Sequence, residues 1–146
     1  MNIVVPMAGR GERFRAAGVE VPKPLIDVRG WLMYAWAVDS LPLALARRLI
    51  FLCLEEHLQN RALAADIEAR YGACRPEIVP VPEVTAGQAA TVLLVREAID
   101  GDEPLVIYNA DTGFRSPLAA RLTALPSEVD GVIGVFRAAG ERWSFV

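Results

Sequence analysis

The chain has 146 residues, 53% of them apolar and 23% charged, with a net charge of −3. That size and balance fit a single domain over 1–146 with a sizeable core, and the acidic balance argues against a nucleic-acid module, which would carry a basic face. No apolar run approaches the roughly 18 residues of a membrane span. Cys53 and Cys74 stand alone, without CxxC or Cys/His spacing, and read as small apolar residues of a reducing compartment. The apolar stretch 3–8 is too short for a secretory signal and has no basic flank, so the expected location is cytoplasmic, with no membrane partner.

In chain order, "NIVVP" (2–6) reads as a buried strand, and a long loop covers 7–24. "LIDV" (25–28) predicts a short extended piece and Arg29-Gly30 a turn. "WLMYAWAVDSL" (31–41) has helical apolar spacing and stops at Pro42, with Trp31, Tyr34 and Trp36 read as core. "RLIFLCL" (48–54) is the continuous apolar run of a central strand. "EEHLQNRALAADIEARYG" (55–72) predicts an amphipathic helix with His57 on its polar face. "EIVPVP" (77–82) is a strand that Pro80 places at a sheet edge. "TAGQAATVLLVREAI" (85–99) leads a loop into a helix. "LVIYNAD" (105–111) reads as another buried strand, polar at its C-terminal end. Ser116-Pro117 opens a helix to about Leu125, and "GVIGVF" (131–136) and "RWSFV" (142–146) read as closing strands. Strands alternating with helices predict an α/β fold, a mostly parallel sheet with helices on both faces. A chain that stops at an apolar "SFV" is expected to be truncated at its C-terminus.

The opening loop is the unusual feature. Connections this long are uncommon unless functional, and ligands of parallel α/β sheets lie beyond the C-terminal ends of the strands. Gly9 and Gly11 allow positive φ and close backbone approach, so successive N–H groups there can form a nest for phosphate oxygens. Arg10, Arg13 and Arg15 supply forked guanidinium donors. Lys23 is the one lysine among fifteen basic residues. Pro22 and Pro24 are expected to hold it on an extended, rigid strut, where a compact ammonium can neutralise growing charge at phosphorus. A dinucleotide fingerprint is excluded because Phe14 stands where its third glycine belongs, and no Gly-Lys-Ser/Thr of a P-loop is present.

The stretch Met7-Ala-Gly-Arg-Gly-Glu-Arg-Phe14, followed by Pro22-Lys-Pro-Leu25 and the "DVRG" turn (27–30), resembles the signature of the sugar-phosphate nucleotidylyltransferases, or nucleotide-sugar pyrophosphorylases. Glu83 to Gln88 and "YNAD" (108–111) are similar to later parts of the same family. The resemblance implies a Rossmann-like (GT-A-like) nucleotidyltransferase fold. It implies a Mg²⁺-dependent reaction in which an NTP and a sugar 1-phosphate, or a similar small phosphate, give an NDP-sugar and pyrophosphate by in-line attack at the α-phosphorus. The backbone of Ala8, Gly9 and Gly11 would cradle the nucleotide. Arg13 would hold the β- and γ-phosphates and Lys23 the α-phosphate, as the catalytic pair. Glu83, Gly87 and Gln88 would contact base or ribose, and Asp111 would bind Mg²⁺.

Each role has a plainer alternative. Asp111 also suits a turn or cap, Gln88 a helix start, and Glu83 a solvated surface. Family members are longer, and their second half supplies a glutamate-lysine sugar motif and a second metal-binding aspartate; neither is visible here. Three functions stay open: the nucleotidyltransferase, including a cytidylyltransferase for phosphocholine; a nucleotide-binding or regulatory fragment without turnover; and a glycosyltransferase, for which Asn109 breaks the usual DxD pair. The base, the acceptor and any homo-oligomer stay open too.

Overall fold

Runs that are apolar on both faces can only be satisfied inside a covered sheet, and the two longest such runs form its centre. In a computed structural model describing residues 1–59 and 61–139, the chain folds as β1 (Asn2–Met7), α1 (Glu12–Ala16), β2 (Asp27–Val28), β3 (Trp31–Leu32), α2 (Met33–Val38) and β4 (Arg48–Leu54). It continues as α3 (Glu55–Leu58), α4 (Ala62–Tyr71), β5 (Glu77–Val81), α5 (Gln88–Leu93), α6 (Arg96–Ile99), β6 (Leu105–Ile107) and α7 (Leu118–Thr123). Four strands make one sheet in the order β5-β4-β1-β6, and every neighbouring pair is parallel. Val4 in β1 sits opposite Ile50 on one side and Ile107 on the other. β2 and β3 form a separate two-residue hairpin around Arg29-Gly30.

Alternation along the strands divides the core between two faces. Ile3, Val5, Leu49 and Phe51 pack under α2 and α4, against Tyr34, Val38, Leu63 and Ile67. Val4, Ile50, Leu52 and Val81 pack under Val92 and Val95 on the other face. Helices therefore cover both faces, as expected. Phe51 lies between Tyr34 and Tyr71, with ring centroids 6.2 and 6.0 Å away.

A polar network closes over the first face. Tyr34 donates to the Asp66 carboxylate, which also accepts from Arg70 Nε at 2.8 Å. Asp39 accepts from the Tyr71 hydroxyl and from Trp31 Nε1, both at 2.9 Å. The Arg70 guanidinium lies 4.3 Å above the Trp31 ring, a cation–π contact that completes the tie between α2 and α4. Burial, then the Asp66 bond, pushes the Tyr34 hydroxyl far above its ordinary range, so it stays a donor. Burial pushes the Cys53 thiol up to about 12, and both cysteines are free.

Several expectations are corrected. Of the three aromatic residues read as core, only Tyr34 is buried; Trp31 and Trp36 are about two-fifths exposed, because each turns its indole N–H to a surface acceptor. The loop 7–24 contains α1, and Lys23 opens a 3₁₀ turn (Lys23–Leu25) rather than an extended strut. Pro24 is tolerated at the second position of that turn because its missing N–H has no partner to lose there. The helix expected over 55–72 is two helices, with Arg61 left-handed between them. The segment 85–99 likewise divides into α5 and α6. β6 is an edge strand of three residues, with Leu105 and Ile107 exposed, not a buried one of seven. Pro117 precedes α7 instead of starting it. Residues 131–136 form no strand, and Val132, Ile133, Val135 and Phe136 are mostly exposed. The strand expected at 142–146 lies outside the described residues.

His57 is buried, not on a solvated face; its Nδ1 has no hydrogen-bond partner among the described residues. Burial lowers its pKa, opposed by Glu56 and assisted by Arg15 and Arg10. The folded chain thus keeps the ring neutral where the unfolded chain, with a pKa of about 6.5, takes up a proton. Its contribution to stability is complete above about pH 6.5 and falls as the pH drops, by at most about 1.4 kcal/mol per unit. Urea unfolding between pH 7.5 and 5.5 checks this: His57→Gln should flatten the slope, and an unchanged slope refutes it. In the polar network, Tyr34→Phe removes a bond to a charged acceptor and should lower the unfolding free energy by about 2 kcal/mol. A loss below about 0.5 kcal/mol would show that the bond contributes little.

Candidate functional site

Parallel strands release their loops at their C-terminal ends. From β1 the chain winds outward through β4 to β5, and then places β6 on the opposite side of β1. The winding therefore reverses between β1 and β6, and loops leaving two adjacent strands in opposite directions leave a crevice. A groove of about 310 Å³ occupies that place, with the end of β1 and the segment after β6 as its walls.

The first wall is Ala8 and Gly9, directly after β1. A Cβ at Gly9 would meet nothing within 4 Å, so the backbone here faces open space. Gly11 does not line the groove, but it controls what does. Its φ is +67°, and a Cβ there would fall 2.9 Å from Lys23 Cβ. Glycine is required twice over, for the left-handed backbone and for the passage of the lysine stem. Lys23 is carried by its 3₁₀ turn, closed by Leu25 N–H donating to Pro22 O at 2.8 Å.

The opposite wall is Asn109 and Asp111. Lys23 Nζ pairs with the Asp111 carboxylate, joining residues 88 positions apart across the groove, and neither side chain is fully exposed. Burial, then the Asp111 charge, raises the pKa of the neighbouring Tyr108. The third side is the start of α5. The Gln88 amide donates to Asn109 Oδ1. Thr91 Oγ1 and Thr85 Oγ1 both bond Gly87 O, at 3.2 and 3.0 Å, and hold this turn in place.

Ala8, Gly9, Lys23, Gly87, Gln88 and Asp111 therefore share one groove. Arg13 and Glu83 do not line it; both are exposed, Arg13 on α1 and Glu83 after β5. Arg10 pairs with Glu56 at 3.2 Å, fastening the opening loop to α3. Among the described residues no three His, Cys, Asp or Glu side chains are grouped as a ready-made metal site. Sequence reasoning noted Asn109 only as breaking a DxD pair, gave it no site role, and passed over Thr91. The polar break at the end of the β6 run was the available signal for Asn109, but nothing local indicated Gln88 as its partner.

By sequence, the chain matches no protein-family model and no curated protein. Solved structures do match. A nucleoside-diphosphate-sugar pyrophosphorylase from Vibrio cholerae RC9 aligns with a TM-score of 0.61 at 26% identity, over 82% of this chain and 52% of that one. An inositol-1-phosphate CTP transferase from T. maritima aligns with a TM-score of 0.67 at 22% identity, over 88% of this chain and 49% of that one. The chain thus has the α/β fold of the nucleotidyltransferases and nucleotide-sugar pyrophosphorylases, and spans about half the length of these structures.

Proposed function

We propose that the chain is the nucleotide-binding part of a nucleotidyltransferase that joins an NTP to a sugar 1-phosphate or a similar small phosphate. The observation that carries this reading is the Lys23–Asp111 pair across a groove at the point where the sheet reverses. The glycines support it. Gly9 and Gly87 are extended or open positions where a Cβ meets nothing of this chain. Their own fold does not need glycine, whereas a ligand lying against the backbone does.

On this reading an oxygen of the acceptor phosphate attacks the α-phosphorus. The bond from that phosphorus to the β-bridging oxygen breaks, and pyrophosphate leaves with the electron pair. Lys23 binds the α-phosphate and balances its added charge. Arg13, which has no ion pair among the described residues, takes the β- and γ-phosphates from α1. The amides after β1 hold phosphate oxygens, and Gln88, oriented by Asn109, presents its remaining amide groups to base or ribose. A lone carboxylate fits Mg²⁺, which takes one or two protein ligands and completes its shell with phosphate oxygens and water. Asp111 would hold the ion, which supplies charge neutralisation between phosphates. Of the two solved structures named above, one is a nucleoside-diphosphate-sugar pyrophosphorylase and the other an inositol-1-phosphate CTP transferase, and the proposal keeps both acceptor classes. A second reading is nucleotide binding without turnover; pyrophosphate release by this chain alone decides against it.

Calorimetric titration with each of the four NTPs should give saturable binding of one, at least about tenfold weaker without Mg²⁺ and about tenfold weaker in Lys23→Ala, the loss of one charge-assisted contact. Binding of none by the folded chain sinks the proposal. Gly9→Val should leave the unfolding free energy within about 0.5 kcal/mol of the parent, as expected for a site with no neighbour. The same change should abolish nucleotide binding. A destabilised Gly9→Val chain would show instead that the glycine serves the fold.

A further inference from the structure

Asp111 lies beyond the sheet, past the end of β6. The last backbone group there held by the ladder is Tyr108 N–H, which donates to Val4 O at 3.0 Å. Among the described residues, the next backbone group tied to another element is Phe114 N–H, which donates to Ser40 Oγ at 2.9 Å. Asp111 therefore sits on an arch pinned at residues 108 and 114, with its carboxylate toward Lys23. The sheet fixes one foot of the arch. The other foot rests at the end of α2, an element that lines no part of the groove.

That second foot is built in detail. At the end of α2 the N–H groups of Asp39, Ser40 and Leu41 donate to Ala35 O, Ala37 O and Val38 O, at 2.9, 3.1 and 2.9 Å. Trp36 O is passed over, and the Ser40 hydroxyl donates to it instead, at 2.9 Å. A hydroxyl has one proton. With that proton committed to Trp36 O, the lone pairs of Ser40 Oγ are left to accept from Phe114 N–H, so the direction of both bonds is fixed. Gly113 lets the arch lie against the helix, since a Cβ there would fall 3.2 Å from Trp36 O. The Phe114 ring is braced against Tyr108, 5.3 Å away, and packs against the core of the first face. α2 can bear this attachment because Tyr34, Ala35, Ala37 and Val38 are buried and Tyr34 is bonded to Asp66 of α4.

We propose that Ser40 is a positioning residue for Asp111, setting through Phe114 N–H where the carboxylate stands to meet a divalent cation; the inference rests on the nucleotidyltransferase reading of the groove. In the empty groove the Lys23 ammonium also holds the carboxylate. Once Lys23 turns to a phosphate that tie is gone, and the pins at 108 and 114 alone define the arch. Mg²⁺ demands near-ideal octahedral geometry, so a single protein carboxylate must be held accurately to serve it. Groups that orient a metal ligand without touching the metal typically govern affinity by about 10–100-fold. Ser40 itself lies outside the groove, so its loss leaves the nucleotide contacts of Gly9, Lys23 and Gln88 in place.

The test is calorimetry of ATP, CTP, GTP and UTP, each in saturating Mg²⁺ and again in EDTA. By linkage, the ratio of the two affinities measures what the protein adds to cation binding. Ser40→Ala and Gly113→Val should each lower that ratio at least fivefold, toward the value of Asp111→Asn, and leave the metal-free affinity within twofold of the parent. Ser40→Thr, which keeps the hydroxyl, should restore the ratio. If Ser40→Ala does not fold, Gly113→Val still decides. The inference is overturned by an unchanged ratio in the variants, by equal losses with and without metal, which would mark a general structural effect, or by a Ser40→Thr chain no better than Ser40→Ala. A parent chain that binds no NTP, or binds it equally with and without Mg²⁺, removes the nucleotidyltransferase reading and the inference together. A metal-dependent parent with unaffected variants removes the inference alone.

Discussion

β1 is held between β4 and β6, and that placement governs the candidate site. From Ile3 to Met7 its side chains are apolar, and both faces are covered, so its backbone groups can be paired only by a strand on each side. Once β4 and β5 have taken one side, the next strand must take the other, and the winding reverses there. The loops leaving β1 and β6 then separate instead of packing on each other. The groove is the consequence of that separation, and no dedicated scaffold is needed to hold it open. Residues that are far apart in sequence, such as Lys23 and Asp111, face each other because they flank adjacent strands.

The sheet's centre was legible because its signal is unambiguous. Two continuous aliphatic runs can form little except covered strands, and Pro80 marks an edge for a reason of hydrogen bonding alone. What pattern reading missed was whether an apolar residue finds a neighbour. Trp31 and Trp36 have helical spacing toward a core, yet each carries an N–H that burial would strand, and each settles on a surface acceptor. His57 shows the converse: a polar residue among charges, buried because β4 delivers α3 directly onto the sheet. The segment 131–136 has strand composition, but composition cannot supply a pairing edge.

At the site, the glycines and the lone lysine were legible as residue types, since Gly11 holds a left-handed backbone that other side chains strain and no other side chain offers so compact a positive charge. Their partners were not. The pairing of Gln88 with Asn109, and of Lys23 with Asp111, depends on strand order, which no local spacing encodes. The docking of residues 113–114 on α2 was invisible for the same reason: Trp36 and Phe114 are far apart in sequence and are brought together through the Ser40 hydroxyl, which bonds Trp36 O and Phe114 N–H.

The identity of residue 23 follows from the same geometry. Its stem passes Gly11 with no room for a Cβ there, so the side chain that crosses must be narrow along its length. Arginine is the usual base in this sequence, fourteen times out of fifteen, and its planar guanidinium prefers a two-pronged partner. At position 23 the requirement differs: a charge that reaches one carboxylate now and, on the proposed reading, a phosphate when nucleotide enters. A rotatable ammonium on an unbranched stem can change partner without turning a plane, so the exchange costs little reorganisation. Asp111, released from it, is then available to a cation that arrives with the phosphates. The pair thus keeps both charges compensated in the empty groove, and the ligand the groove is proposed to bind supplies a replacement partner for each.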